Sequence, residues 1–348
     1  MKVSIYIKLL LFSLIIFISF HFIVWHYLTK NFFTNDNNTT IGDLGRISYS
    51  LDSLYLRENE IDLDKLHFNY IRDKDVDVLT IGDSFSNGMG GGLNPFYQDY
   101  ISTKFNKNVM NIQAFSDGFI ETVLMLINTK VIDGINPKVI ILQSIERLAI
   151  DRFAKDVNWD ISSNNKSIDI KLNKKYKSDI PNPYFINNIN YNALIYNTLY
   201  YYDSKAYISN VYRLESSKKI FSSKNMTQLL VLSQDLENIK KATKNKINKL
   251  NENLNRLSKI LKEKNIKLYL LLNVDKYNLY FKYLLEKKEK NSILFEELEQ
   301  KTKEYEFINT KKILLPLIDK GDLDIYYSDD THWSFDAIKE VFNKVDLP

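Results

Sequence analysis

The chain has 348 residues, 45% of them hydrophobic and 26% charged, enough to bury a full core and far from the composition of a disordered protein. A formal charge of +4, with lysines scattered among acids instead of gathered in blocks, leaves no nucleic-acid footprint. The absence of cysteine excludes disulfides, thiolate metal sites and a cysteine nucleophile.

The first element in chain order is membrane-like. Lys2 and Lys8 precede or open an apolar run over 9–28, broken only by Ser13, Ser19, His21 and His26. A helix of that length reaches about 30 Å, the thickness of a bilayer core. No small-x-small cleavage pattern ends it before Lys30, so residues 1–30 are predicted to form an uncleaved signal anchor. The lysines ahead of the span predict a cytoplasmic N-terminus and an extracytoplasmic remainder, periplasmic or at the cell surface.

Residues 31–74 are polar, dotted with aromatics and without period, and read as a stalk and lead-in segment. From residue 75 strand and helix alternate. Strands are expected at 76–81, 108–112, 139–142, 266–272 and 307–308, separated by helical stretches. That pattern predicts an α/β fold: a doubly wound, mainly parallel sheet of about five strands, flavodoxin-like in class.

Residues 151–225 break the alternation with an Asn-, Tyr-, Ser- and Lys-rich stretch containing Pro181 and Pro183, which reads as an inserted cap. Its tyrosines Tyr191, Tyr196, Tyr200, Tyr201 and Tyr202 either pack the insert onto the main domain or stack on sugar rings; packing is the expectation. The following stretch, 234–264, reads as one long helix. Its stripe of Ile247, Leu250, Leu254, Leu257 and Leu261 at steps of three and four predicts a cover for the sheet.

The chemistry concentrates in two places. The first expected strand runs into Gly82-Asp83-Ser84-Phe85, and five of the ten glycines fall between 82 and 92. Gly88-Met89-Gly90-Gly91-Gly92 is not followed by Lys-Ser or Lys-Thr, so it is no phosphate loop; close backbone approach beside a nucleophile is the better reason for those glycines. A serine hydroxyl needs a base, and the chain has four histidines. His21 and His26 lie in the apolar run, and His67, in Leu66-His67-Phe68 with no acid closer than Asp64, reads as structural. His332 remains, in Asp329-Asp330-Thr331-His332-Trp333, where an acid three or two residues before it reaches the ring within one loop.

With these two blocks the chain resembles the SGNH/GDSL hydrolase superfamily, and more narrowly the SGNH-like domains of the alginate-type O-acetylation proteins. The resemblance covers about 75–348 and implies Ser84 as nucleophile, His332 as base and Asp329 as its orienting acid, with Asp330 the alternative. It also implies an oxyanion hole made by the Ser84 amide, a group after the second strand (Ser116 or Gly118) and one after the third, where Gln143 stands in place of the family's Gly-x-Asn-Asp. Glu146-Arg147 and Asp275-Lys276-Tyr277 with Tyr280 occupy strand ends that match the alginate branch. Glu146, Arg147, Lys276, Tyr280 and Trp333 are therefore expected to touch substrate, an internal salt bridge being the other reading of the charged pairs.

The function so implied is a membrane-anchored O-acetyltransferase that modifies an extracytoplasmic polysaccharide through an acetyl-serine. A carbohydrate acetylesterase would use the same residues, and a catalytically silent glycan-binding or assembly protein would explain the missing third block. The implied partners are a glycan acceptor and a membrane acyltransferase as acetyl donor, with no cofactor, metal or nucleic acid.

Overall fold

A strand covered on both faces needs apolar side chains at consecutive positions; β4 (Val139–Ile145) has them from Val139 to Leu142 and β2 (Val78–Gly82) at Val78, Leu79 and Ile81, and every residue of both strands is buried. In the computed structural model, which describes residues 2–30, 41–50, 52–53, 57, 63–92, 94–163, 165–173 and 184–348, these two strands are central in a six-stranded sheet. On one side β3 (Val109–Gln113) pairs with β2, and β1 (Phe68–Asn69) with β3; on the other β7 (Lys267–Asn273) pairs with β4, and β8 (Glu306–Asn309) with β7. All pairings are parallel, in the order β1-β3-β2-β4-β7-β8. The five expected strands are present, and β1 adds another from within the expected lead-in segment.

Helices cover both faces. Tyr97–Phe105 packs with Phe335–Asn343, which in turn meets Thr310–Lys320, while Lys244–Lys262 packs on Glu146–Phe153 and β7. The stripe Ile247, Leu250, Leu254, Leu257 and Leu261 is fully buried, each leucine contributing about 1.5–3 kcal/mol of transfer free energy. The expected single helix over 234–264 is two, Ser233–Ile239 and Lys244–Lys262. The break falls where Thr243 turns extended and its hydroxyl accepts from the Lys246 amide at 3.4 Å, an N-cap that starts a new helix.

The chain leaves β2 for β3 on one side and then crosses back to β4 on the other. Connections after β2 and β4 therefore diverge and open a crevice at the carboxyl edge of the sheet, the usual ligand position in such folds. Ser84 stands two residues past the end of β2, at that point.

The insert has different bounds from those expected. Glu146–Phe153 is a helix of the main domain, and the insert closes with an antiparallel hairpin, β5 (Val211–Glu215) and β6 (Gln228–Leu232). Pro181 and Pro183, like residues 31–40, lie outside the described residues. The N-terminal helix Lys2–Val24 continues as a π-helical stretch, Trp25–Thr29. Together Ser4–Thr29 has 26 residues, with an 18-residue window of mean hydropathy 2.5 inside it, long and apolar enough to cross a membrane.

The stalk expectation fails for 41–50, 52–53 and 57, which pack on the domain. Gly42 and Gly45 amides donate to the Asp329 carboxylate (3.0 Å) and carbonyl (2.8 Å), and Ser328 donates to the Ser53 carbonyl at 2.7 Å. The Arg57 guanidinium, 1% exposed, donates through Nη2 to Asp329 (2.8 Å) and Asp330 (3.2 Å), and through Nε to the Gly90 carbonyl at 2.6 Å. Removing one partner of a buried pair leaves an uncompensated charge, at a cost of about 3–5 kcal/mol. Arg57→Ala is expected to lose stability in that range by denaturant unfolding of the full chain in detergent micelles, with Arg57→Leu/Asp329→Leu recovering part of it. A loss below about 1 kcal/mol would show that the segment does not hold the loop.

Candidate active site

The turn after β2 is built by its own side chains. The Asp83 carboxylate accepts from the Phe85 amide at 3.1 Å, from the Ile145 amide at 2.9 Å and from Arg152. It thus ties the loop after β2 to the end of β4. Burial opposes the charge, but Arg152 and those amides hold the Asp83 carboxyl below its ordinary range. Gly82 is required because Ser86 and Gln143 lie across its Cα, where a Cβ would meet the Ser86 hydroxyl and the Gln143 Oε1. Asp83 and Gly82 are therefore scaffold, and Ser84 projects from the turn they make.

On the opposing loop, residues 326–333 close back on themselves through a bridge between Tyr326 and Trp333. His332 Nε2 lies 2.8 Å from Ser84 Oγ, although the two are 248 positions apart. The ring's Nδ1 lies 2.5 Å from Asp330 Oδ1, which also accepts from the His332 amide at 3.0 Å. Asp329, expected as the orienting acid, does not reach the ring. Its carboxylate faces Arg57 and the Gly42 amide, so Asp330, at the shorter spacing, is the acid on the imidazole. Phe85 packs its ring 4.6 Å from that of His332, and Trp333 meets Phe85 edge-on at 5.8 Å.

Electrostatics follow from this packing. Burial opposes charge on His332, but Asp330, with Asp43 and Asp83 behind it, raises the imidazole above its ordinary 6.5. Burial likewise opposes the Asp330 carboxylate, and His332 and Arg57 overcome it, holding Asp330 well below the usual range. Asp329 goes the other way: burial raises it, with Arg57 only partly compensating. Asp43, Asp330 and His332 also form a cluster whose ligand-type atoms lie within 4.8 Å of one another. Both ring nitrogens are engaged with Ser84 and Asp330, and Asp43 accepts from Thr331 and Leu44, so the cluster is a hydrogen-bond network.

Several expected ligand contacts are corrected. Lys276 is 1% exposed and spends its ammonium on the carbonyls of Tyr327 (2.8 Å), Ser328 (3.2 Å) and Asp330 (3.0 Å), filling the centre of the histidine loop from beneath. Burial lowers it to about 8 despite the neighbouring acids. Tyr280 and Trp333 are also buried, at 0% and 2% exposure. Arg147 bridges Asp235 (3.2 Å) and Asp275 (2.8 Å), and Glu146 accepts from the Asp275 amide and from Asn278. Burial and the Asp275 charge push the Glu146 carboxyl up to about 7. The internal-ion reading therefore holds for Arg147, while Glu146 and Lys276 are satisfied by uncharged groups. Lys276, Tyr280 and Trp333 are buried, and Glu146 and Arg147 line a small cavity with Asp235, Asn238 and Asp275 whose walls include neither Ser84 nor His332.

The oxyanion candidates divide. No acceptor among the described residues takes the Ser84 amide. Gln143 is unsuitable, since its Oε1 accepts from the Asp83 amide and the Ser86 hydroxyl and its Nε2 donates to Asn273, each at 2.9 Å. Gly118, at φ 139°, spends its amide on the Phe115 carbonyl at 3.1 Å. Asn87, on the Ser84 turn, and Gln113, whose backbone pairs with Gly82, have side chains with no hydrogen-bond partner among the described residues. Sequence reasoning did not single out either amide. Arg57 was missed too, because no spacing links it to residue 329. His67, read as structural, pairs with Asp99 at 2.6 Å.

His332 contributes stability that is fully present below pH 6.5 and lost as pH rises through its raised folded value; Asp330 contributes stability above pH 3.8 that is lost as pH falls through its lowered one. A neutral imidazole is needed to activate Ser84. Covalent labelling of Ser84 by a fluorophosphonate is thus expected to slow as pH falls through an inflection above 6.5. Asp330→Asn should slow labelling by roughly 10³–10⁴ and move the inflection down, while Asp329→Asn keeps it. The reverse assignment would exchange the two profiles. No protein-family model, characterised protein or solved structure matches the chain, and the reading of the site rests on this geometry.

Proposed function

We propose that the protein is a membrane-anchored acyl-transfer enzyme of the SGNH type, an O-acetyltransferase acting on an extracytoplasmic glycan. The observation that carries this is the series Ser84 Oγ, His332 and Asp330, joined at 2.8 and 2.5 Å at the carboxyl edge of a parallel sheet. The residue blocks that resemble that superfamily are the ones brought together.

Ser84 Oγ attacks the acetyl carbonyl while Nε2 takes its proton, and Asp330 stabilises the imidazolium that forms. The Ser84 amide donates to the oxyanion, with Asn87 and Gln113 available beside it. Collapse breaks the bond to the donor oxygen, which leaves with the proton from Nε2, and Ser84 carries the acetyl group. A glycan hydroxyl then gives its proton to His332 and takes the acetyl in the mirror-image step. Water in place of that hydroxyl makes the same machinery an esterase. The apolar N-terminal helix favours an acceptor that is processed at a membrane.

The test uses the full chain in detergent with a chromogenic acetyl ester, with and without polysaccharide acceptors. Ser84→Ala and His332→Ala are expected to lower turnover by about 10³ or more and to abolish an acetyl adduct on Ser84 seen by intact mass. Equal turnover in all three proteins sinks the triad. Acetate release that outruns acetylation of every acceptor replaces the transferase with the esterase.

A further inference from the structure

The helix Ile189–Tyr202 is inside out. Residues 184–202 contain no Asp, Glu, Lys or Arg in a chain that is 26% charged. Its asparagines face the protein: Asn192 donates to the Tyr49 hydroxyl at 2.9 Å, and Asn197 donates to the carbonyl of Tyr49 at 2.9 Å and accepts from Arg213 at 2.8 Å. Its apolar side chains face out. Tyr191, Leu194, Ile195, Tyr201 and Tyr202, on one side of the helix by its 3.6-residue repeat, are between 41% and 85% exposed, and Tyr184, ahead of the helix, is 86% exposed. A surface helix ordinarily does the opposite.

The same helix is fastened to the N-terminal apolar helix. Asn190, fully buried, donates to His21 Nδ1 at 2.9 Å and accepts from the Thr29 hydroxyl. Tyr191 stacks on Phe20 with centroids 4.7 Å apart. At about 1.5 Å per residue the 26-residue span Ser4–Thr29 is roughly 39 Å long, about 9 Å more than a hydrocarbon core, so its last turns reach the headgroup layer. Thr29 lies in those last turns, and Phe20 and His21 sit about 12–14 Å deeper along the axis, so the contacts of Asn190 and Tyr191 straddle the boundary between the core and that layer. The outward rings and aliphatics are therefore carried to the level where tyrosines concentrate in membrane proteins.

We propose that Ile189–Tyr202 lies in the bilayer interface with its apolar face in lipid, a second membrane attachment that holds the Ser84 site close to the surface. It rests on the reading of Ser4–Thr29 as a membrane span. A sugar-stacking platform would set its rings among polar groups, whereas Leu194 and Ile195 fill the same face. With no cationic side chain on the helix, attachment depends on apolar area and on tethering by the span, not on anionic lipid.

The chain has no cysteine, so single cysteines can be placed without background. Spin labels at Leu194→Cys, Tyr201→Cys, Phe12→Cys and Glu252→Cys are read in phosphatidylcholine nanodiscs by collision with oxygen and with a water-soluble nickel chelate. Positions 194 and 201 are expected to match position 12, favouring oxygen several-fold over position 252. If position 12 is in lipid and 194 and 201 behave like 252, the interfacial helix is wrong and the span stands. If position 12 is itself in water, both fall. If 194 and 201 are open to the chelate in nanodiscs but closed to both relaxants in native membrane vesicles, a protein partner covers this face and the lipid assignment is overturned.

Discussion

Everything at the site depends on housing two adjacent aspartates, Asp329 and Asp330, in the interior at 0% and 2% exposure. Moving a carboxylate out of water costs several kcal/mol, which only well-placed partners offset. Here the partners come from three directions. Arg57 and the Gly42 amide serve Asp329, His332 and the Asp43 amide serve Asp330, and Lys276 absorbs the loop carbonyls that the tight turn leaves over. Once those partners are in place the loop has no freedom left, and His332 is aimed at Ser84.

The two aspartates divide the work because their surroundings differ. Asp330 has a base to share a proton with, which holds it low and lifts His332; Asp329 has a guanidinium fixed on both sides and holds the loop in place. The same economy explains the letters around the serine. Asp83 clamps two strand ends, and Phe85 and Trp333 wall the imidazole, so the conspicuous residues of both blocks are mostly braces for two reacting atoms.

The apolar N-terminal helix and the site belong to one assembly. Residues 41–50, whose Gly42 and Gly45 hold the histidine loop, also receive the inside-out helix, through Tyr49 on Asn192 and Asn197. That helix in turn grips the end of the apolar span.

The sheet was legible in the chain because a strand buried on both faces must be continuously apolar, and the amphipathic stripe of Lys244–Lys262 was legible because a helix repeats every 3.6 residues. That Ser84 and His332 meet was legible from Gly-Asp-Ser at a strand end and from elimination of the other histidines, two of which lie in the apolar run. Which aspartate orients the ring, and whether Glu146, Arg147, Lys276, Tyr280 and Trp333 meet solvent, were decided only by the tertiary structure. Those outcomes turn on burial and on partners such as Arg57, which is 272 positions from Asp329. Local spacing states which atoms are able to meet. Desolvation, which depends on every neighbour at once, selects the ones that do.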